Sequence, residues 1–205
     1  MTEARSHRFT RYRAILSDMD GTLVDTMPLH YRAYAEVLAG YGGTLGRGDF
    51  DAIVGGPARD AIPAFVAAAG LDPIPFADIH AAKKTVFGRI IAREPLDPLP
   101  AVAILRQARA HDVRLGLVTS ANASGAMAIL AGLGITELFD AIVTGDDVVR
   151  GKPDPEPYLL AASLIDTDPG DCLVLEDHDA GIAAAAAAGM TAIDVRTPDL
   201  GGWTW

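Results

Sequence analysis

Five short apolar runs punctuate the chain, at Ala14 to Asp18, Arg114 to Thr119, Ala141 to Thr144, Cys172 to Glu176 and Thr191 to Val195. They are nearly continuous rather than alternating, the pattern of strands buried on both faces of a parallel sheet. Helical periodicity fills the later intervals, at Ala101 to His111, Ser124 to Gly132, Glu156 to Leu164 and Ala180 to Ala188. The last of these contains six consecutive alanines, Ala183 to Ala188, followed by Gly189. Alanine is the best helix former and glycine the preferred residue just past a helix end, so a packed, capped helix is expected. Strands and helices in alternation predict an α/β fold built on a doubly wound parallel (Rossmann-like) sheet.

The first crossover breaks the rhythm. From Asp18 the chain runs ~95 residues before the second strand, against ~30 for an ordinary βα unit. Helical patterns occupy that interval at Leu29 to Ala39, Arg59 to Ala69 and Phe76 to Ala92, with no convincing strand. Pro28 opens it, and the stretch Glu94-Pro95-Leu96-Asp97-Pro98-Leu99-Pro100 closes it. Proline-rich joints of this kind are semi-rigid. The expected organisation is a core of residues 1–27 and 99–205 with a small all-helical domain, 28–98, inserted after the first strand. That is the carboxyl end of the sheet, where open α/β folds bind ligands.

Composition narrows the function. At 205 residues, half of them apolar, the chain can bury a sizeable core. Its 17 basic and 27 acidic residues give a net charge of -10. The basic residues cluster only at Arg5, His7, Arg8, Arg11 and Arg13, read as an N-terminal lead-in, so no nucleic-acid partner is expected. No apolar stretch follows that segment as in a secretory signal, and none approaches the ~18 residues of a membrane span, so no membrane partner is expected either. The single cysteine, Cys172, cannot form an internal disulfide, which fits a cytoplasmic location. It lies in an apolar run, where it serves as a small buried hydrophobe.

The ends of the strands carry the chemistry. The first run passes into LSDMDGTLVDT, where Asp18 and Asp20 are spaced to share one face of an extended chain. Two like charges so placed call for a proton or a cation between them. The second strand delivers Thr119, Ser120 and Asn122. Gly151-Lys152-Pro153 follows the third, and the fourth delivers Glu176 and Asp177. Alone, a Thr-Ser pair after a strand is a helix cap and Gly-Lys-Pro a surface turn. Together, at one sheet edge, they suit phosphoryl transfer through a carboxylate, for which aspartate is a covalent nucleophile. Attack on a dianion needs a screening cation, and Mg²⁺ prefers hard oxygens. Asp18 and Asp177 would hold it, with Glu176 nearby and the main-chain carbonyl of Asp20 completing the shell. Lys152 and the Thr119 hydroxyl would neutralise the transferring oxygens. Asp20 would protonate the leaving oxygen and later activate water. A receiver-type switch uses similar residues, but on ~120 residues without an insert and without an acid like Asp20.

DMDGTLVDT, the Thr of LGLVTS, the Lys of GKPDP, and LVLED followed by AGI resemble, in order, the four motifs of the haloacid dehalogenase-like superfamily. The resemblance covers nearly the whole chain. The stretches DMDGTLVDTMPLHYRAYAEVL and AAGMTAIDVR are more closely similar to its β-phosphoglucomutase-like branch, which includes sugar-phosphate phosphatases of the fructose-1-phosphate and 6-phosphogluconate type. The resemblance implies Asp18 as nucleophile, Asp20 as acid/base and Thr119 and Lys152 as phosphate binders. It implies Mg²⁺ held by Asp18, Asp20, Glu176 and Asp177, with Ser120 and Asn122 on the substrate side. The helical insert matches the superfamily's small cap, which decides substrate. There His30 resembles a cap-hinge histidine, and Arg59, after Val54-Gly55-Gly56-Pro57, an arginine that contacts the substrate's distal group. Lys83 or Lys84, with Lys84 preferred, resembles a cap lysine that reaches the site. Gly55 and Gly56 would let backbone approach a polyol closely. Dehalogenases lack an acid where Asp20 stands, so halogen removal is not expected. His178 departs from the small residue usual at its place and is expected as an exposed loop histidine. The implied protein is a Mg²⁺-dependent phosphomonoester hydrolase acting on small phosphorylated sugars or polyols through an aspartyl-phosphate. The alternative is a mutase that moves the phosphoryl group between sugar hydroxyls. A cap that must open and shut makes a monomer the default.

Overall fold

The computed structural model describes residues 11–54 and 58–197. Gly55, Gly56 and Pro57, with the expectations attached to them, lie outside the described residues, as do Arg5, His7 and Arg8. The chain divides into two compact units, one made of the chain up to Asp25 and from Leu96 onward, the other of Thr26–Pro95.

In chain order, strand β1 (Ala14–Ser17) is followed by the helical unit, which holds α1 (Met27–Gly40), α2 (Arg47–Ile53), α3 (Ala58–Ala68) and α4 (Phe76–Ile91). The sheet unit resumes with α5 (Pro100–Ala110), β2 (Arg114–Val118), α6 (Ala123–Leu133), β3 (Ala141–Val143) and α7 (Glu156–Leu164). It ends with β4 (Cys172–Glu176), α8 (Asp179–Ala187) and β5 (Thr191–Asp194). The strands form one parallel sheet in the order β3-β2-β1-β4-β5. Every residue of β1 is buried, as its unbroken apolar run requires for the central strand. Sequence order leaves β1 in one direction through β2 and β3 and in the other through β4 and β5. The β1/β4 junction is therefore the switch point at which such sheets open a crevice. Ser17 pairs with Leu117 on one side and Leu175 on the other. This register brings the residues just past β1, β2 and β4 to one edge.

Four of the strands stop one residue short of their apolar runs, so Asp18 and Thr119 stand immediately beyond the sheet rather than within it. Ala14 and Leu16 pack with Tyr158, Ala161, Val174, Ala184 and Ala185 in one buried cluster. Part of the alanine run docks α8: Ala184 and Ala185 are fully buried, while Ala183, Ala186 and Ala187 are exposed. The helix ends as expected, with Gly189 at φ +77 and the Met190 N–H donating to the Ala185 carbonyl at 2.9 Å. Cys172 is buried, and burial pushes its thiol up to about 11, in keeping with a packing role.

The helical unit is built around aromatic rings. Phe50 and Phe65 stack with centroids 5.4 Å apart, and Tyr34 lies 4.7 Å from Phe65. Leu38, Ile62 and Ile79 complete its core. Helix α2 is an addition to the elements the pattern predicts. Its seven residues, RGDFDAI, carry too little periodicity to read as a helix, and burial of Phe50 supplies the missing stabilisation. At the joints, Val24 bridges Pro98, and the Leu99 N–H donates to the Leu23 carbonyl at 2.8 Å. Among the described residues no helix is long and apolar enough to cross a membrane.

Candidate active site

After β1 the chain makes a tight turn, in which the N–H groups of Thr22, Leu23 and Val24 all reach the Met19 carbonyl. Gly21 in this turn has φ +86, and a Cβ there would lie 2.0 Å from Asp177 Oδ2. The turn must carry glycine both for its conformation and for its approach to the acid. Thr22 Oγ1 donates to the other Asp177 oxygen at 3.4 Å. Asp18 is buried and Asp20 half-buried, which leaves the first deep in the edge and the second nearer its surface.

Lys152 ties the edge together. Its Nζ donates to Asp18 Oδ1 at 2.6 Å, Glu176 Oε1 at 2.6 Å and the Val118 carbonyl at 2.9 Å, so all three ammonium protons are engaged. Glu176 is 1 % exposed, and both its oxygens are filled. Oε1 accepts from Lys152 and from the Tyr158 hydroxyl at 2.9 Å. Oε2 accepts from the N–H groups of Asp177 at 3.1 Å and His178 at 3.0 Å. The buried Thr119 hydroxyl accepts from the Ala121 N–H at 3.1 Å.

The charge balance of this edge is negative. Burial pushes the Asp18 carboxyl up to about 8, with Glu176 and Asp20 adding to the effect and Lys152 opposing it. Burial and Glu176 also raise Asp177. Burial works against the Lys152 ammonium, but Asp18 and Glu176 more than offset it and hold it above its ordinary value. One lysine thus does not neutralise the acids around it. Asp18, Glu176 and Asp177 each offer a carboxylate oxygen, all within 4.8 Å of one another. Hard oxygens in this number, with charge to spare, fit a divalent cation such as Mg²⁺. The side chain of Asp20 is not in that set.

Asn122 begins α6 as its cap: its Oδ1 accepts from the Gly125 N–H at 3.0 Å and the Ser124 hydroxyl at 2.7 Å. Ser120 is exposed. His178 is exposed, as expected, and it also caps α8 through Nδ1, which accepts from the Ala180 N–H at 3.3 Å. In the helical unit Arg59 and Lys84 are both exposed, whereas Lys83 is half-buried. Lys83 turns inward, its Nζ 2.7 Å from His30 Nδ1 and 4.2 Å from the centre of the Phe87 ring, on which His30 stacks.

Burial, with the Lys83 ammonium beside it, pushes His30 down to about 3, so its Nδ1 accepts from Lys83. A histidine whose folded value lies below its unfolded value binds its proton better when unfolded. Its contribution is fully present above about pH 6.5 and is lost as pH falls toward 3. Across that window one such group costs about 1.4 kcal/mol of stability for each pH unit, so protonation of His30 helps to drive acid unfolding. Denaturant melts of wild type and His30→Gln at about pH 7 and 4.5 should show a shallower loss in the variant.

Tyr158 is the member of the site that the sequence pattern does not reveal. It sits at an apolar position of α7 and reads as core. The one signal in the sequence is that a buried tyrosine hydroxyl must find a partner.

Comparison with known proteins agrees with this geometry. Residues 12–189 match the haloacid dehalogenase-like hydrolase family. The chain is 38% identical over 189 residues to the fructose-1-phosphate phosphatase YqaB of Escherichia coli, covering 92% of this chain and 98% of that protein. It is 34% identical over 183 residues to a phosphorylated carbohydrates phosphatase of Thermotoga maritima, covering 88% and 83% of the two chains. The phosphate-bound crystal structure of CbbY from Rhodobacter sphaeroides superposes with a TM-score of 0.77 at 32% identity, over 88% of this chain and 84% of that one.

Proposed function

This chain belongs to the haloacid dehalogenase-like hydrolases, in their β-phosphoglucomutase-like branch, and is a phosphatase; from that premise we propose a Mg²⁺-dependent hydrolase of small phosphorylated sugars or polyols that works through an aspartyl-phosphate. The observation that carries the reading is the set of buried Asp18 and Glu176 with half-buried Lys152 and Asp177 at the switch point of the sheet. The sugar-phosphate preference is supported by what the relatives are named for hydrolysing.

Asp18, Asp177 and the main-chain carbonyl of Asp20 would hold Mg²⁺, with Glu176 behind them. When bound, the ion supplies charge neutralisation between the nucleophile and the phosphate dianion. Asp18 attacks phosphorus, the bond to the sugar oxygen breaks, and Asp20 gives that oxygen its proton. Asp20 then takes a proton from water as the water attacks the phosphorus of the aspartyl-phosphate, which frees inorganic phosphate and restores Asp18. Lys152 balances charge on the transferring oxygens throughout, and Thr119, whose oxygen already accepts from Ala121, has its proton to donate. The helical unit acts as the substrate-selecting cap in this scheme, with His30, Gly56, Arg59 and Lys84 on the distal part of the substrate and Ser120 at the core side. Asn122 contributes by fixing the start of α6. The protein acts as a cytoplasmic monomer.

A screen of phosphorylated metabolites, read as phosphate release with Mg²⁺ or with chelator, tests the proposal. Hexose and hexitol phosphates should lead, and only with Mg²⁺ present. Hydrolysis that persists in chelator overturns the metal role. Glucose-6-phosphate forming from β-glucose-1-phosphate faster than free phosphate, with a trace of the bisphosphate, identifies a mutase instead.

A further inference from the structure

We propose that Tyr158 is a positioning residue: its hydroxyl holds the Glu176 carboxylate so that Lys152 stays between Glu176 and Asp18 and the acidic edge keeps its fit for a divalent cation. The inference rests on the Mg²⁺-phosphatase reading of the same site.

Tyr158 is fully buried in the third position of α7, in a cluster of otherwise apolar side chains. Phenylalanine would serve that packing equally well, and a buried hydroxyl costs stability unless it is bonded. This hydroxyl donates to Glu176 Oε1 at 2.9 Å, and the Lys152 ammonium lies 5.1 Å from the centre of the same tyrosine ring. One side chain therefore touches both members of the ion pair, one through a hydrogen bond and the other through its π face. Lys152 must divide its protons between Glu176 Oε1 and Asp18 Oδ1, each at 2.6 Å. With the tyrosine hydroxyl sharing Oε1, neither acid draws the ammonium away from the other. Without it, Oε1 is left to Lys152 alone.

Backbone also closes on the same carboxylate. A Cβ on Gly181 would lie 1.7 Å from Glu176 Oε1 and 1.9 Å from its carboxyl carbon. The N–H groups of Asp177 and His178 fix Oε2. Glu176 thus has one place to be, and it passes that placement to the Asp177 turn through Oε2 and to Asp18 through Lys152. Partners that orient the groups around a metal change its affinity by about 10–100-fold when removed.

Tyr158→Phe keeps the ring and deletes only the hydroxyl. Calorimetric titration with Mg²⁺, in the absence of substrate, should show Kd raised about 10-fold, and kcat on the best sugar phosphate should fall about 10-fold with KM changed by less than about twofold. Gly181→Ala displaces the same carboxylate by direct overlap and should give the same pattern, so the inference is testable even where one variant folds poorly. A lower melting temperature with Mg²⁺ affinity equal to wild type would make Tyr158 a packing residue and overturn the proposal while leaving the phosphatase reading intact. A wild-type protein that binds no Mg²⁺ overturns both.

Discussion

Asp18→Asn is expected to abolish phosphate release, by at least about 10⁴-fold, while leaving a protein at least as stable as wild type. The first half follows from the proposed nucleophile, which the amide cannot replace, and the second from the surroundings of Asp18. Asp18 is buried, next to Glu176 and Asp20, and these surroundings push its carboxyl up to about 8. An ionised Asp18 is therefore held against its own preference, and the neutral amide relieves the conflict. The substitution leaves the Asp18 backbone N–H on the Leu175 carbonyl and Lys152 on Glu176, so β1 and β4 keep their junction. Phosphate release and thermal melting in chelator, measured on one preparation, check both halves together. Full activity in the variant overturns the covalent route. A large loss of stability shows instead that the carboxylate is a structural charge.

The second large effect belongs to Lys152→Met. Removing one donor of charge stabilisation at the transferring group typically costs about 10²–10³-fold in turnover. Here the same lysine also holds two buried carboxylates, Asp18 and Glu176, and the Val118 carbonyl. Breaking a buried pair by deleting one partner leaves the other charge uncompensated and costs about 3–5 kcal/mol. The variant should be inactive and markedly less stable in chelator, with part of the stability returned by Mg²⁺. Chemical denaturation with and without the ion measures this. The contrast with Asp18→Asn is the diagnostic: a negative charge can leave this edge at little cost, whereas the positive one cannot.

What could be read from the chain follows from how each feature is held. The strands were legible because a central parallel strand buries both faces, so Ala14–Ser17 has no reason to alternate. The acids and Lys152 were legible because strand ends converge wherever the sheet goes, and their residue types suit one chemistry. Helix α2 was not, because burial of Phe50 rather than local periodicity makes its seven residues helical. Asn122 reads as a substrate-side residue from its place after a strand, and its hydrogen bonds show a helix cap not assigned to it from the sequence. Lys83 and Lys84 are one residue, hence about 100° of helix rotation, apart, and only packing against Phe87 and His30 distinguishes the inward one. Tyr158 was hidden because aromatic residues on a core face need no explanation until the hydroxyl's partner is seen.

The joints between the two units have a consequence for how this architecture varies. Val24 and Pro98 are bridged, and Leu23 and Leu99 share a hydrogen bond, so the chain leaves the sheet unit and returns to it at one tied point. Closing a loop costs entropy that grows only slowly with its length. Here the closure is anchored in the sheet unit itself, whatever lies between. The interval Thr26–Pro95 is topologically a cassette: it can be shortened, lengthened or exchanged without altering the register of β1 with its neighbours. With the helical unit as the proposed cap, one reaction centre would thereby be open to different substrates.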